Sequence, residues 1–402
     1  MINLEIPSKL KPLVEQAHVV ASAVFRPISR KYDTAEHTYP KELDMLAAVM
    51  DGFSEAGAGG GVSNVKQGTR DKGDKSVRNG ANMSTVLGMV ELCWGDIGLA
   101  LSIPRQGLGN AAVAAVATPE QKARWGQVWA AMAITEPGAG SDSAAIRTTA
   151  RLEGNEWVIN GEKIYVTAGE RATAVVVWAT LDRNMGRAAI KSFFVPQGSP
   201  GMSLVRLDKK LGIRASDTAV LSFNDCRIPK DNILGSPEID PKKGFGGVMQ
   251  TFDNTRPIVA AMALGVARAS LEVTETFLKE AGVDTRMRGS RWTQHAAAAE
   301  LHRMKAELEA ARLLTLKAAW MADNGIPNSV EASMAKAKAG RTANEVTLRC
   351  VELCGSTGYG ETELLEKWAR DSKILDIFEG TQQIQLLIVA RNLLGLKSTE
   401  LR

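Results

Sequence analysis

Aromatic side chains are scarce in this 402-residue chain, at 5% of the total, and cysteine and histidine occur four times each. Cys93, Cys226, Cys350 and Cys354 show no metal-ligand spacing, and the last two fall on one face of a helix, where packing is the simpler use. A reduced, intracellular compartment fits this usage. His295 and His302 lie seven apart in a helical run, too far for the adjacent-turn pair a zinc site needs. No block of Lys or Arg is dense enough to argue for nucleic acid, and a net charge of +4 suits small anionic ligands without requiring one. No run approaches the ~18 apolar residues of a membrane span. The opening residues, MINLEIPSKLKPLVEQ, resemble neither a signal peptide nor a transit peptide. The expectation is a soluble, cytoplasmic protein.

Hydrophobic residues make up 45% of the chain, enough for mostly aliphatic cores in roughly two or three domains. Up to about residue 129 the pattern is mainly helical, as in 41–53, 85–103 and 119–129. Residues 56–82 interrupt it with glycine and polar residues, carrying Lys66, Arg70, Lys72, Lys75 and Arg78 against Asp71 and Asp74. They read as a long loop, either a solvated segment or a basic lip over an anionic ligand or partner. From about 131 to 229 the period becomes two. Trp157 and Ile159, then Asn160-Gly161, then residues 164–167 predict a hairpin with a type I′ turn, and short strands follow at 175–180, 192–196, 202–207 and 218–223. After residue 245 long helices return: 248–281 interrupted at Pro257, 293–324 and 329–354, with Gly282, Gly325 and Gly355 at the expected stops. The fold expected is an α+β multidomain protein: a helical domain over 1–130, a small β-barrel or sandwich domain over 131–238, and a four-helix-bundle domain over 239–402.

Two stretches carry candidate chemistry. In KILDIFEGTQQIQ, residues 373–385, Glu379 stands at the break between two helical patterns, with Gly380 interrupting the first and Thr381 a candidate N-cap for the second. Apolar surroundings would raise its pKa and backbone donors would lower it, so it could serve as a tuned base; equally, it could merely complement a helix dipole. In AITEPGAGSD, residues 133–142, Pro137, Gly138 and Gly140 let the backbone turn tightly and approach a flat or phosphorylated ligand, with hydroxyls from Thr135 and Ser141 at the two ends.

This second run resembles, almost letter for letter, the flavin-binding signature of the acyl-CoA dehydrogenase family. INGEKIYVTAG, residues 159–169, resembles the family strand whose aromatic and Thr lie against the flavin ring, and residues 370–391 resemble the segment with the catalytic base, at Glu379. FDNTRP, residues 252–257, looks like the family's substrate-contacting turn. The resemblance implies FAD-dependent α,β-dehydrogenation of an acyl-CoA to a trans-2-enoyl-CoA, as in fatty-acid β-oxidation. Glu379 would take the α proton while the β hydride passes to flavin N5, and a backbone N–H at the base, with a ribityl hydroxyl, would polarise the thioester carbonyl. By the same resemblance Met132, Ile134, Thr135, Gly140, Ser141, Tyr165, Val166 and Thr167 would line the flavin. Ser141, Asp253 and Arg256 would meet the thioester or CoA arm, and Thr381 and Gln383 the FAD phosphates.

Residues that family members lend to a neighbouring subunit's FAD are largely missing. Thr285 stands for an Arg, Arg288 for a Phe, Ala296 for a Gln, Glu352 for a later Gln and Ser356 for a Gly. The pattern suggests a heterotetramer with a related subunit that completes the FAD site, against a homotetramer in which Arg286 or Arg288 substitutes. An electron-transfer flavoprotein is the implied acceptor. The other readings are an acyl-CoA oxidase and a non-catalytic partner subunit.

Overall fold

The computed structural model describes residues 6–47, 80–104, 107–239, 246–287, 289–396 and 400, with the side chains of 246–254 and 291 outside that set. The basic loop expected over 56–82 lies outside it up to residue 79, as does Arg288.

Helices α1 (Lys11–Val20) and α2 (Arg26–Thr34) run into one another through a π-turn at Ala21–Phe25. Each carries proline in its first turn, where no N–H is needed. Helices α3 (Ala81–Gly95), α4 (Ile97–Leu101), α5 (Leu108–Val116) and α6 (Pro119–Trp125) complete the N-terminal part. Asp96 caps α4 by accepting from the Leu99 N–H at 2.8 Å, and Thr118 with Gln121 forms a capping box on α6.

Seven strands follow: β1 (Ala130–Ala133), β2 (Thr149–Glu153), β3 (Glu156–Thr167), β4 (Ala174–Thr180), β5 (Ile190–Pro196), β6 (Met202–Leu207) and β7 (Thr218–Pro229). They pair in the order β1-β4-β2-β3-β7-β6, with β5 also on β4. One apolar cluster, around Trp157, Ile159, Phe193 and Leu221, lies on one side of this sheet, and another, around Trp125, Val176, Trp178 and Phe194, on the other. The hairpin expected at Asn160-Gly161 is not formed there. β3 runs straight through, and the two-residue connection is Gly154-Asn155, between the paired Glu153 and Glu156. Asn160 and Gly161 instead mark a bulge against β7, where the Asn160 amide exchanges hydrogen bonds with Asp225. A side chain at 161 would sit 2.4 Å from the Thr148 hydroxyl, so glycine serves a close approach and not a turn.

The C-terminal part is helical: α7 (Gly246–Glu280), α8 (Ala296–Asp323), α9 (Ser329–Tyr359), α10 (Leu365–Ser372) and α11 (Gln382–Leu393). α7 is continuous through Pro257, so the expected interruption is absent and the FDNTRP segment is helix, not turn. Its portion Thr255–Glu280 is long and apolar enough to cross a membrane by length and composition alone, and 78% of its most apolar window is buried as the central helix of the bundle. Gly355, at φ +55°, interrupts the helical backbone at the expected stop, and a last helical turn to Tyr359 follows it.

A fully buried charge cluster ties these parts together. The Lys367 ammonium on α10 donates to Asp96 at 2.6 Å and to Asp371 one turn on, while Asp371 accepts the Ile213 N–H from the β6–β7 connection. Burial alone would lower Lys367, but the two carboxylates hold it above its ordinary value. Replacing Lys367 with Met leaves two buried, uncompensated carboxylates and should cost about 3–5 kcal/mol. Thermal unfolding near neutral pH checks this, and adding D96N and D371N should recover most of the loss.

Candidate functional site

The path to Glu379 begins at α10, which continues as a 3-10 turn over Lys373–Asp376. The Ile377 and Phe378 N–H groups both bond back to the Ile374 carbonyl, and the chain then reverses through two left-handed residues, Glu379 at φ +56° and Gly380 at φ +90°. A non-glycine residue in this region is uncommon and is held only by its surroundings. Here Thr381 caps α11 by accepting from the Ile384 N–H at 3.4 Å. The buried Gln385 amide donates to the carbonyls of Glu379 at 3.2 Å and Gly380 at 3.1 Å, and the Lys336 ammonium reaches the Gly380 carbonyl from α9 at 2.7 Å. A Cβ on residue 380 would meet the Gln385 amide nitrogen at 2.4 Å, so both φ and contact require glycine.

The Glu379 carboxylate accepts from the Thr255 hydroxyl of α7 at 2.7 Å. The residue is half-buried by area, but its carboxyl is surrounded deeply enough that burial pushes its pKa above the usual carboxylate value. The Thr255 hydrogen bond and the charges of Arg256 and Lys336 pull back without overcoming it. Arg256 is 3% exposed and donates to the Ser333 hydroxyl of α9 at 3.4 Å. It therefore lies inside the cluster beside the carboxylate. Among the described residues no backbone carbonyl accepts the Glu379 N–H.

The flavin-like signature is organised by a second buried pair. Lys163 of β3, fully buried, donates to the Ile134 carbonyl at 3.0 Å and to Glu136 at 2.7 Å. Glu136 also accepts the N–H groups of Arg147 at 2.6 Å and Thr148 at 2.9 Å, and residues 136 and 139 bond to each other across Pro137-Gly138. The Ile164 N–H donates to the Thr135 carbonyl at 2.9 Å. Beyond Lys163, β3 shifts register against β7 and Tyr165 adopts φ +57°, leaving its side chain 65% exposed. A bulge is a means of re-aiming a side chain.

Of the residues expected around a flavin, Met132, Thr135 and Thr167 are half-buried, Gly140, Ser141 and Tyr165 exposed, and Ile134 buried. Val166 is in the β-domain core, so only its backbone can face a ligand. Thr381 is half-buried at the head of α11, Gln383 beside it is exposed, and the side-chain amide oxygen of neighbouring Gln382 is buried with no partner among the described residues. An exposed aromatic on a re-aimed strand, a glycine loop with open space at 138 and 140, and the N-terminus of α11 at Thr381 fit a flat, phosphate-bearing cofactor. The side chain of Asp253 lies outside the described residues.

Thr255, Lys336, Gln382, Gln385 and the Glu136–Lys163 pair were not legible as site residues. Lys336 alone left a signal: it occupies the buried face of α9 with Ala332, Ala335 and Ala339, where a lysine needs a partner.

Residues 131–226 match the acyl-CoA dehydrogenase middle domain and residues 242–394 its C-terminal domain. The mitochondrial short-chain specific acyl-CoA dehydrogenase of Bos taurus is 41% identical over 284 residues, 69% of this chain and 67% of that protein. Butyryl-CoA dehydrogenase from Megasphaera elsdenii superposes with a TM-score of 0.84 at 29% identity, covering 98% of this chain and 100% of that one. A chain from a structure described as the electron transferring flavoprotein of Acidaminococcus fermentans superposes at 0.82 with 30% identity over 98% of this chain and 100% of that one.

Because burial raises the Glu379 pKa above its ordinary 4.5, the ionised carboxyl lowers stability at pH values above its folded pKa, and this cost disappears below 4.5. Glu379→Gln keeps an acceptor for Thr255 and removes the charge. The variant should unfold at a higher temperature than the parent at about pH 8, with the gap closing as pH falls toward about 4.5. A series of melting curves across pH checks the sign.

Proposed function

The chain belongs to the acyl-CoA dehydrogenase family, and from that premise we propose that it dehydrogenates a short-chain acyl-CoA at the α and β carbons, with Glu379 as base. The observation that carries the reading is the state of Glu379: a carboxyl raised above its usual pKa, on a left-handed turn whose own N–H has no backbone acceptor among the described residues. An α-thioester proton is weakly acidic, so its removal needs a base and a polarised carbonyl together. Glu379 would take the proton through its side chain, and its N–H would hydrogen-bond the thioester oxygen. Thr255 would hold the carboxylate in place, and Arg256 would stabilise its charge from within the cluster. Ser141 and Asp253 are proposed for the CoA arm.

FAD, when bound, would supply the hydride acceptor. The residues proposed to hold it are Met132, Ile134, Thr135, Gly140, Ser141, Tyr165, the Val166 backbone and Thr167, with Thr381 and Gln383 at the head of α11. The short-chain preference is supported by the names of the bovine and Megasphaera proteins. An electron-transfer flavoprotein as acceptor is supported by the likeness to the Acidaminococcus chain, whose structure is described as that of such a flavoprotein. A cytoplasmic setting agrees with four buried cysteines that form no disulfide.

The assembly proposed is a tetramer with a related, non-identical subunit. Thr285 is buried and donates to Glu275 of its own bundle at 3.3 Å, so it is not directed to a neighbour, while Arg286 is exposed and pairs with Asp284 at 2.8 Å. Glu352 is paired with Arg349, which removes the objection to a lone negative charge there. Met287, Trp292 and Tyr359 are strongly exposed on the same segments.

Glu379→Gln in the active assembly should lower turnover by at least about 10²–10⁴-fold and leave the flavin spectrum unchanged. Retained turnover with butyryl-CoA would sink the base assignment. The lone chain should purify nearly colourless and turn yellow on co-expression with its related subunit. Flavin bound by the lone chain and bleached by an acyl-CoA would instead mean a self-complete enzyme, and an active assembly that never binds flavin through this chain would make it the non-catalytic subunit. Oxygen consumption during turnover would identify an oxidase.

A further inference from the structure

Lys336 is a fully buried lysine on the central face of α9, and the proposed reaction assigns it nothing. Its ammonium ends on the Gly380 carbonyl at 2.7 Å, the same oxygen that receives the Gln385 amide at 3.1 Å. Two donors from two helices therefore converge on one carbonyl, directly after the residue whose left-handed φ sets the direction of the Glu379 side chain and N–H. The charged groups around Lys336 are Asp376 from the preceding 3-10 turn, Glu379 itself and Arg256 from α7. Asp376 is in turn faced by Lys373 at 3.6 Å and Arg341 at 3.9 Å. Burial lowers Lys336 to about 8, against the pull of Asp376 and Glu379.

We infer that Lys336 is a positioning residue for the Glu379 base: its ammonium locks the Glu379-Gly380 turn through the Gly380 carbonyl and sets a positive charge beside the carboxylate. This rests on Glu379 being the base. A lysine buried only for packing could be replaced by methionine of similar length with little effect on the turn. A lysine that holds the turn could not, because Gly380 would keep one donor of two and the carboxylate would lose a neighbouring cation. A small displacement of a base from its proton is itself costly, up to about 10²-fold in rate for 1 Å.

The test compares K336M and K336R in the flavin-loaded assembly. In K336M, kcat with butyryl-CoA should fall about 10²-fold with KM little changed, and the acidic limb of the pH–rate profile should move to higher pH as Glu379 loses a positive neighbour. Amide hydrogen exchange across residues 379–382, read by mass spectrometry, should accelerate. K336R, which keeps charge and donors, should restore much of both. Unchanged exchange and an unmoved acidic limb in K336M would overturn the proposal. If K336M does not fold, K336Q, neutral and too short to reach the Gly380 carbonyl, carries the same readouts: exchange at 379–382 should accelerate and the acidic limb should move up, and unchanged exchange with an unmoved limb overturns the proposal. Exchange needs no turnover, so failure of Glu379 as base, seen as retained activity in Glu379→Gln, stays distinguishable from failure of Lys336 as its clamp.

Discussion

The constraint on which the rest depends is a reversal of two residues in left-handed conformation, Glu379 and Gly380, between a 3-10 turn and α11. Such a turn is not self-supporting: glutamate gains nothing locally at φ +56°, and strain of this kind costs about 1–3 kcal/mol unless its surroundings over-determine it. Over-determination comes from four side chains on three helices. Thr255 holds the carboxylate from α7, Lys336 holds the next carbonyl from α9, Gln385 holds both carbonyls from α11, and Thr381 starts that helix immediately afterwards. The bundle is thus a device for fixing one carboxylate.

Three lysines, 163, 336 and 367, are almost completely buried, and each binds a segment that the site needs to another part of the chain. Lys163 secures the 134–136 loop to β3, Lys336 the turn to α9, and Lys367 the approach helix α10 to Asp96 of the N-terminal helices. Burying an ammonium is expensive, and replacement of a buried pair by hydrophobic residues is often neutral or stabilising. What an ion offers that an apolar contact does not is direction: its donors must end on particular oxygens. The 134–140 loop and the 379–380 turn are irregular backbone with few ladder bonds of their own, which is where direction is needed.

The broad architecture was legible because β4 and β5 are short apolar runs between turn residues, α8 and α9 are long runs without breakers in their first turns, and Gly282 and Gly325 mark helix stops. Glu379 was legible as a helix break, and the loop at 133–142 by its proline and glycines. What was not legible was set by partners remote in sequence. Asn160-Gly161 has the composition of a hairpin turn, but Thr148 leaves room only for a hydrogen at 161 and Asp225 engages the Asn160 amide, so the pair became a bulge. Pro257 has the signature of a helix break, yet α7 is buried along its apolar length and continues through it, placing Thr255 and Arg256 on a helix beneath the carboxylate. Gln385 and Lys163 carry no local signal at all, since each acts on a segment fixed elsewhere.

The contrast between the inside and the outside of the chain bears on assembly. Contacts made within the subunit are dense with paired charge, and the Thr255, Lys336 and Gln385 donors at the Glu379-Gly380 turn all belong to this chain. The segments that the family resemblance points outward are different: Thr285 turns inward to Glu275, Glu352 neutralises Arg349 on its own helix, and Trp292 stands 86% exposed. A large exposed aromatic invites a partner surface. A surface that keeps its apolar anchors while its polar groups satisfy one another can bind a neighbour firmly without giving that neighbour a cation for a pyrophosphate. In the assembly proposed above, a related chain carrying an Arg and a Gln at the positions of Thr285 and Ala296 would complete the FAD site built on Glu379, whereas identical chains would not lend those residues to one another.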